Sequence, residues 1–391
     1  MKKIGLAVCY DTKNFGSQLQ VLATVKKIEN LGFNTEIIRY KKKLTPQFIG
    51  QTIPRLFNIS FLKAKFGAKK KVRQIKKIPE IAQQVNVRNK RFEGFVKDYL
   101  TNLSPIYKGW ENLVKESAKN YDLFLCGSDQ LWLPNNLGSH FYTLEFAPEQ
   151  KVKIAYATSF GVSQIPWFQK AKTKNYLQRF QSISTREHTG KSIIKDLTGL
   201  DVPVVCDPTL LFSEKEWLEQ IPEKKLIHEP YIFCYFLGTN PEHRIQANEL
   251  KKLKNLEIVT IPFLDNFVKE DMKFGDIKLF DIDSSDFINL IRNAEYILTD
   301  SFHGSVFSIL NHKKFMVFNR FNAGANSRNS RIDSLCKNLD LADRRYHGNV
   351  LDVDLDIDYE NVDKKLKDLR DNSIVYLEKS LKEAFSNETK Y

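Results

Sequence analysis

Short apolar runs typical of strands recur along this chain of 391 residues, and amphipathic stretches typical of helices separate them. The pattern is clear at residues 3–9, which lead through a polar turn into a helix ending near Gly32, ahead of a second strand at 34–39. Alternating strands and helices favour parallel sheets covered by helices on both faces. We therefore predict an α/β fold with two Rossmann-like domains that face a cleft.

The elements fall into two groups. A strand at 202–206 completes the first group, and we interpret the polar, proline-containing segment 213–230 as a linker. The chain is longer than one hydrophobic core usually supports. We predict an N-terminal domain at 1–215, a C-terminal domain at 230–370, and a final helix at 371–391 that could pack back on the N-terminal domain.

The net charge of +13 is concentrated in one segment. Residues 39–91 hold 16 lysines and arginines against one acid, Glu80, which gives the segment a charge of +15 and leaves −2 for the rest of the chain. Apolar residues are interleaved with the charges, as in helices that lie at a membrane interface. The segment is either a solvated helical insertion or a surface that contacts anionic membrane. Nucleic acid is not an expected partner, because no recognition motif accompanies the charge.

Composition narrows the class of protein further. A hydrophobic share of 42% and a charged share of 27% are typical of a soluble globular protein, and no apolar stretch approaches the roughly 20 residues of a membrane-spanning helix. The five cysteines have neither disulfide nor zinc spacing, and they indicate a reducing cytoplasm. No dinucleotide or P-loop signature occurs, and the histidines have no zinc spacing, so we expect neither a cofactor nor a metal.

The segment 295–318 reads as a strand, a turn, a short helix and a second strand. Its turn at 299–304 (Thr-Asp-Ser-Phe-His-Gly) should lie at the carboxyl edge of a parallel sheet, where open α/β folds bind ligands. A helix N-terminus there favours a phosphate or carboxylate, and histidine is the commonest proton-transfer residue near neutral pH. We predict that His303 is catalytic. The alternative is a buried histidine with a purely structural hydrogen bond.

Two further motifs follow strands and carry groups that bind oxyanions or sugars. In residues 14–17, Gly16 allows close backbone approach and Ser17 can bind an oxyanion, although a plain tight turn explains the motif nearly as well. Residues 126–132 combine hydroxyl, carboxylate, amide and indole groups that suit a sugar, or else form a structural corner. The predicted acceptor or cleft residues are Asn14, Gly16, Ser17, Gly127, Ser128, Asp129 and Trp132.

Arginines are the candidates for holding an anionic donor. Arg186 ends a strand, where its guanidinium could bind a carboxylate or phosphate bidentately, unless it is an exposed residue paired with Glu187. The arginines beyond the His303 unit could reach the same anion or be ordinary surface charge. Asp207 reads as a structural cap rather than an acid or base. The predicted donor-binding residues are Arg186, Ser301, Gly304, Arg328 and Arg331.

Together these motifs resemble the polysaccharide pyruvyl transferase family. The resemblance implies a two-lobed architecture similar to that of glycosyltransferase-B (GT-B) enzymes. It also implies transfer of pyruvate from phosphoenolpyruvate to a sugar of a cell-surface polysaccharide or its lipid-linked precursor, with ketal formation and phosphate release. By the resemblance, His303 matches the family's functional histidine and Arg186 its donor-binding arginine. The motifs that carry it are residues 14–17, 127–132, 184–187, 207–209, 299–304 and 329–332.

This chain departs from the family pattern at one point. Several members have an arginine two positions before the histidine and a leucine after that arginine, where this chain has Ser301 and Phe302. Arg328 or Arg331 could supply the missing charge. Two other functions stay open: a GT-B-type glycosyltransferase that uses a nucleotide sugar, and a non-catalytic, membrane-associated component of a polysaccharide assembly complex. We expect a cytoplasmic protein, at the inner face of the cell membrane if residues 39–91 bind lipid.

Overall fold

The structure is a computed structural model that describes residues 2–43, 78–134, 140–264, 268–320 and 330–386. Its strands form two sheets in which every pairing is parallel. The first sheet contains β1 (Lys3–Ala7), β2 (Asn34–Lys41), β3 (Leu103–Lys108), β4 (Leu123–Cys126), β5 (Val152–Thr158) and β6 (Ser182–Thr185). The second contains β7 (Tyr231–Tyr235), β8 (Glu257–Thr260), β9 (Ile277–Lys278), β10 (Tyr296–Thr299) and β11 (Lys314–Val317). The predicted α/β fold is confirmed.

Helices supply most of the crossovers that parallel strands require. The helices before β7 are α1 (Phe15–Asn30), α2 (Pro79–Tyr99), α3 (Trp110–Asn120), α4 (Lys170–Leu177), α5 (His188–Thr198) and α6 (Glu214–Gln220). Those after β7 are α7 (Pro241–Lys254), α8 (Ser284–Arg292), α9 (Phe302–Leu310), α10 (Ser330–Asn338) and α11 (Tyr359–Ser386).

The strand order creates a switch point in each sheet. The first sheet has the order β3-β2-β1-β4-β5-β6, which is the Rossmann order, and the second has the order β11-β10-β7-β8-β9. The direction of winding reverses between β1 and β4 in the first sheet and between β7 and β10 in the second. Ligands of open α/β sheets bind outside the carboxyl ends of the strands at such points. The loops after these four strands are therefore the candidate position of a site.

Local sequence sets the two turns that matter most. The side chain of Asn14 caps α1 by accepting a hydrogen bond from the Ser17 amide at 3.0 Å. The hydroxyl of Ser301 caps α9 by accepting one from the Gly304 amide at 3.3 Å. Such caps satisfy backbone donors that the first helical turn leaves free. These caps set the first turns of α1, eight residues after the end of β1, and of α9, three residues after the end of β10.

Aromatic packing joins the two sheets' helices close to these turns. The ring of Phe15, the first residue of α1, stacks on Phe287 of α8 with centroids 5.1 Å apart and lies 4.8 Å from Phe92 of α2. Gln18 accepts a 2.7 Å hydrogen bond from Ser284 beside them. A single buried hydrophobic cluster includes residues of both sheets. The start of α1 is therefore held against the second sheet's layer.

The last helix runs back to the first sheet. Arg370 of α11 donates a 2.8 Å hydrogen bond to the carbonyl of Leu210, and the Ser373 hydroxyl accepts one from the Cys206 amide at 2.9 Å. Further along, the ring of Phe385 stacks on Phe33 at 5.4 Å. These contacts fix the segment that follows β6.

Two expectations about that segment are wrong. Residues 213–230 are not only a linker, because Ser213 and Glu216 form a capping box that starts α6, and Trp217 is buried. Residues 202–206 do not form a strand, and only Val204 bridges to β6. Pro203 explains this, since it has no N–H to donate to a longer ladder.

Residues 44–77, which make up most of the basic segment 39–91, lie outside the described residues. At its described end, Arg91 pairs with Asp283 at 2.9 Å and with Asp286 at 2.6 Å, so this cation stabilises the contact between α2 and α8. Within the described ranges, no helix is long and apolar enough to cross a bilayer.

Candidate active site

The two switch points meet at Gly16 and His303. Both residues lie in the first turn of a helix, Gly16 in α1 and His303 in α9, and both are buried. A Cβ atom built on Gly16 would lie 1.9 Å from Nδ1 of His303. Any side chain larger than hydrogen would displace the imidazole. His303 therefore contacts the backbone of the opposite lobe.

Arg186 forms the centre of a buried ion-pair cluster. Its Nη1 donates to Oδ2 of Asp207, and its Nη2 lies 3.4 Å from Oδ1 of Asp129. Burial would lower the pKa of Arg186, but Asp207 and Asp129 outweigh it and raise that pKa. The alternative of an exposed arginine paired with Glu187 is therefore wrong. Arg186 is a buried cation with two carboxylate partners.

Asp207 has more partners than a cap requires. Its Oδ1 accepts a 3.0 Å hydrogen bond from the Thr209 amide, as the prediction of a cap implies, and its Oδ2 accepts one from Ser128 at 3.0 Å. Nε2 of His303 lies 3.7 Å from Oδ1, too far for a hydrogen bond but close enough for a strong charge interaction. Burial would raise the pKa of Asp207, but Arg186 and His303 outweigh it and hold that pKa well below its usual range.

Asp129 links the first switch point to the same cluster. Its Oδ2 accepts a 2.6 Å hydrogen bond from the Ser17 hydroxyl, and its backbone is left-handed with φ of 83°. Residues other than glycine rarely adopt that conformation, and it is found preferentially at functional sites. Burial would raise the pKa of Asp129, but Arg186, Arg331 and His303 lower it. Asp129 therefore stays ionised beside the arginines.

Phe302 is flanked by two guanidiniums. The Cζ atom of Arg186 lies 4.9 Å from the ring centroid, and that of Arg331 lies 5.6 Å from it, both within the range of cation–π attraction. Burial, the neighbouring Arg186 and to a lesser extent Arg320 lower the pKa of Arg331 to about 10, although Asp129 and Glu187 oppose the shift. The site thus brings together cations that repel one another.

Three side-chain nitrogen atoms at this site have no hydrogen-bond partner among the described residues. They are Nε of Arg186, Nε of Arg331 and Nε2 of His303, and all three atoms are buried. Nearly all buried polar groups in folded proteins are paired, and leaving one unpaired costs about 1–3 kcal/mol. A bound molecule with several anionic oxygens would supply the missing acceptors.

Glu187 adds a buried carboxyl beside these groups. Its Oε1 accepts a 2.8 Å hydrogen bond from Ser159 at the end of β5. Burial raises the pKa of Glu187, and the nearby Arg186 offsets only part of that effect. Within the described ranges, no three side chains of the metal-binding types lie close enough to hold a metal ion.

The structure brings most of the predicted site residues together. Trp132 is different: its indole is fully buried, packs at 5.3 Å against Phe160, and donates to the carbonyl of Tyr142, so its face is covered by protein. Arg328 lies outside the described residues. The predicted residues in or bordering the cluster are Asn14, Gly16, Ser17, Gly127, Ser128, Asp129, Arg186, Ser301, His303, Gly304 and Arg331.

Several of these residues stabilise the conformation of the turns on which they lie. Asn14 and Ser301 are helix caps, and Gly304 donates its amide to Ser301. Gly127 lies so close to Val8 that a Cβ would be 2.6 Å from a methyl carbon of that valine. Their hydrogen bonds fix the loops on which the charged groups sit.

Sequence reasoning underrated Asp207 and missed Phe302 and Glu187 as members of the site. Asp207 follows a segment at the carboxyl edge of the first sheet, the same edge that carries Asp129 and Arg186. This shared position at the sheet edge was the signal by which the sequence could have placed Asp207 in the site. No local pattern distinguishes Phe302, because its neighbours Arg186 and Arg331 come from distant parts of the chain.

Comparisons with solved structures give the fold. The chain is similar to a putative UDP-N-acetylglucosamine 2-epimerase from Listeria monocytogenes, with a TM-score of 0.51 and 11% identity over 97% of this chain and 90% of that one. It is also similar to the UDP-GlcNAc 2-epimerase from Methanocaldococcus jannaschii, with a TM-score of 0.48 and 11% identity over 94% of this chain and 92% of that one. A third similar structure is MurG from Acinetobacter baumannii, with a TM-score of 0.40 and 9% identity over 97% of this chain and 95% of that one. At such identities the likeness concerns the fold alone. The likeness to the Listeria structure, together with the two parallel sheets, confirms the predicted GT-B-like architecture.

Sequence comparison gives the family. No curated protein sequence matches the chain. The family model described as "Polysaccharide pyruvyl transferase" matches residues 14–320, which begin at the cap of α1 and include His303 and Arg186. The match covers most of the chain, including the loops that follow β4, β7 and β10. This chain therefore belongs to the polysaccharide pyruvyl transferase family.

Proposed function

We propose that the protein transfers pyruvate from phosphoenolpyruvate to a sugar of a cell-surface polysaccharide or its lipid-linked precursor, forming a ketal and releasing phosphate. Membership of the family supports this class of transferase. The observation that carries the choice of donor is the set of buried nitrogens without partners on Arg186, Arg331 and His303. Phosphoenolpyruvate is the donor substrate, and the proposal includes no cofactor.

The donor's charges suit this cluster. Phosphoenolpyruvate carries a phosphate and a carboxylate, and guanidinium groups bind both with charge-assisted hydrogen bonds. Arg331 occupies the site without a carboxylate partner within ion-pair distance among the described residues, and its pKa is lowered to about 10, so a bound anion would stabilise its charge. We assign to Arg331 the positive charge that Ser301 does not provide.

The reaction needs one proton at carbon and two hydroxyl attacks. In the first step His303 gives a proton to the methylene carbon of the donor while a sugar hydroxyl bonds to the adjacent carbon and gives its proton to water. Phosphate then leaves with the electrons of its C–O bond, and the second hydroxyl attacks the same carbon to close the ketal and returns a proton to His303. Nε2 of His303 lies 3.7 Å from the carboxylate of Asp207. General acid catalysis of this kind typically contributes about 10²–10⁴-fold.

Ligand-dependent melting tests the proposal. Phosphoenolpyruvate should raise the melting temperature of the protein, whereas uridine and cytidine nucleotide sugars should not. With sugar acceptors that have neighbouring free hydroxyls, His303→Ala should abolish phosphate release and keep the fold. The exposed His347, changed to alanine, is the matched control. Stabilisation by a nucleotide sugar and not by phosphoenolpyruvate would make the protein a glycosyltransferase, and near-normal turnover of His303→Ala would remove His303 from the mechanism.

The proposed location is the cytoplasm, at the inner face of the membrane if the acceptor is lipid-linked. All five cysteines are free thiols in the structure, and the apolar residues interleaved with the charges of 39–91 suit contact with anionic lipid. The test is binding to anionic vesicles at low and at high salt. A vesicle affinity that changes neither with lipid charge nor with salt concentration would contradict a role for this segment.

A further inference from the structure

A second feature of the N-terminal half lies outside the ion-pair cluster. Trp167 and Phe168 follow β5 on a short 3-10 turn, with side chains that are 84% and 51% exposed and rings 5.8 Å apart. Isolated apolar residues at a surface are common, but an adjacent tryptophan and phenylalanine with this exposure are not explained by packing. Their neighbours on the chain show what kind of partner fits them.

The stretch of sequence around the two rings carries charge of one sign. Residues 150–186 contain seven lysines and arginines and no aspartate or glutamate. Three of the lysines, Lys170, Lys172 and Lys174, lie on α4 directly after the aromatic pair, and all three are exposed. Exposed aromatic rings bordered by lysines are typical of surfaces that insert into the interface of an anionic membrane.

The loop that carries the pair is anchored close to the candidate active site. The hydroxyl of Ser159 donates a hydrogen bond to Glu187, and the amide of Ser159 donates one to the Asp129 carbonyl at 3.0 Å. The next residue, Phe160, packs against Trp132. Trp167 follows Ser159 by eight residues, so the two lie at most about 28 Å apart. Buried Phe160 and Ile165 hold the loop down before it reaches the exposed pair.

We propose that this surface docks on an anionic lipid membrane, with the two rings entering the interface and the lysines binding lipid headgroups. We call it the aromatic–lysine surface and define it as Trp167, Phe168, Lys170, Lys172 and Lys174. Its residues lie outside the basic segment 39–91 in the sequence. Docking here would bring the edge of the first sheet that carries Asp129 and Arg186 towards the bilayer. This last point rests on the proposed function, because it is where a lipid-linked acceptor would lie.

Tryptophan fluorescence tests docking at this surface directly. The chain has four tryptophans, of which Trp132 and Trp217 are buried and Trp110 is half-buried, so Trp167 is the most exposed of them. Vesicles of phosphatidylglycerol and phosphatidylcholine should shift the emission to the blue, and brominated lipid should quench it. The shift and quenching should vanish in Trp167→Phe and with pure phosphatidylcholine. Binding through the basic segment alone would leave Trp167 in water and its emission unchanged, and that result overturns the proposal.

Binding measurements separate the rings from the charges. Since each lysine at a membrane surface is worth roughly a factor of five, changing Lys170, Lys172 and Lys174 to glutamine should weaken vesicle binding about a hundredfold. The same change of charge at the exposed lysines Lys252, Lys337 and Lys364 is the control and should have much less effect. Equal losses in the two triple variants would mean that only net charge matters, which also overturns the proposal.

A second pair of variants examines the aromatic rings. The double change Trp167→Ser with Phe168→Ser should reduce vesicle binding at least roughly tenfold, whereas Ile245→Ser with Leu253→Ser, at 56% and 55% exposure on α7, should not. Phosphoenolpyruvate should raise the melting temperature of all these variants as in the parent. Its failure to do so in the parent would count against the proposed function and leave docking intact. A blue shift of Trp167 caused by soluble polysaccharide and not by vesicles would make the surface a sugar platform instead.

Discussion

The backbone of Gly16 lies against the imidazole of His303, and a Cβ on Gly16 would lie 1.9 Å from Nδ1. The two residues start helices on opposite lobes, so the position of the proposed acid depends on how closely the lobes pack. The aromatic contact of Phe15 with Phe287 sets that packing. A change at Gly16 should therefore act on the chemistry by moving His303, without replacing any charged residue.

We expect Gly16→Ala to displace His303 and to reduce phosphate release at least tenfold, because the added methyl cannot fit without moving the imidazole or the lobe. Gly94→Ala is the control, since a Cβ on Gly94 in α2 has no heavy atom within 4 Å. The control should keep full activity. Equal activity of the two variants would show that the close contact does not position His303.

Asp207→Asn should be strongly destabilising. It would remove one carboxylate partner of buried Arg186, and breaking such a pair costs about 3–5 kcal/mol in the free energy of unfolding. The folded pKa of Asp207 lies below its unfolded value, so its contribution is present above the unfolded pKa and is lost progressively as the pH falls from the unfolded value towards the folded one. Urea unfolding at pH 7 and pH 3 should thus show a smaller acid-induced loss for the variant than for the parent. Asp201→Asn, in an exposed ion pair, should change neither value much.

Arg331→Gln should separate a binding role from a structural one. The folded pKa of Arg331 is lowered to about 10, so below that pH the folded state carries a charge that burial and Arg186 disfavour. This charge lowers the free energy of unfolding, and the loss disappears only as the pH rises through the folded pKa of Arg331 towards its unfolded pKa. Removing the charge should therefore raise the melting temperature without ligand and shrink the increase caused by phosphoenolpyruvate. A variant that melts lower and still responds fully to the donor would have lost packing alone.

Glu187→Gln should make the protein less sensitive to a rise in pH above the ordinary pKa of a glutamate. The folded pKa of Glu187 lies above its unfolded value, so the carboxyl favours folding at low pH and loses that contribution as the pH rises from the unfolded value through the folded one. Glutamine keeps an oxygen for the Ser159 hydroxyl and cannot ionise. We expect a melting temperature at pH 7 equal to or above that of the parent. A large loss of stability at pH 7 would mean that the ionised carboxylate is needed.

Local sequence was enough for the elements that carry the site. The polar turn after β1 and the Thr-Asp-Ser-Phe-His-Gly turn after β10 were recognisable from caps, glycine and apolar runs, because those signals act within a few residues. The capping box at Ser213 was equally local and was overlooked in a charged segment. The six motifs together also predicted the family.

The sequence by itself determined the α/β class, the turns, and the presence of an imidazole at 303 and a guanidinium at 186 close after strands, since short-range backbone preferences and residue type decide these. Only the tertiary structure decided that Asp207 bonds to Arg186 and faces His303, that Phe302 lies between two guanidiniums, and that Trp132 is covered by the core. These contacts join residues far apart in the chain. Strand order and the packing of two lobes set their distances, and neither leaves a periodic signal in the sequence.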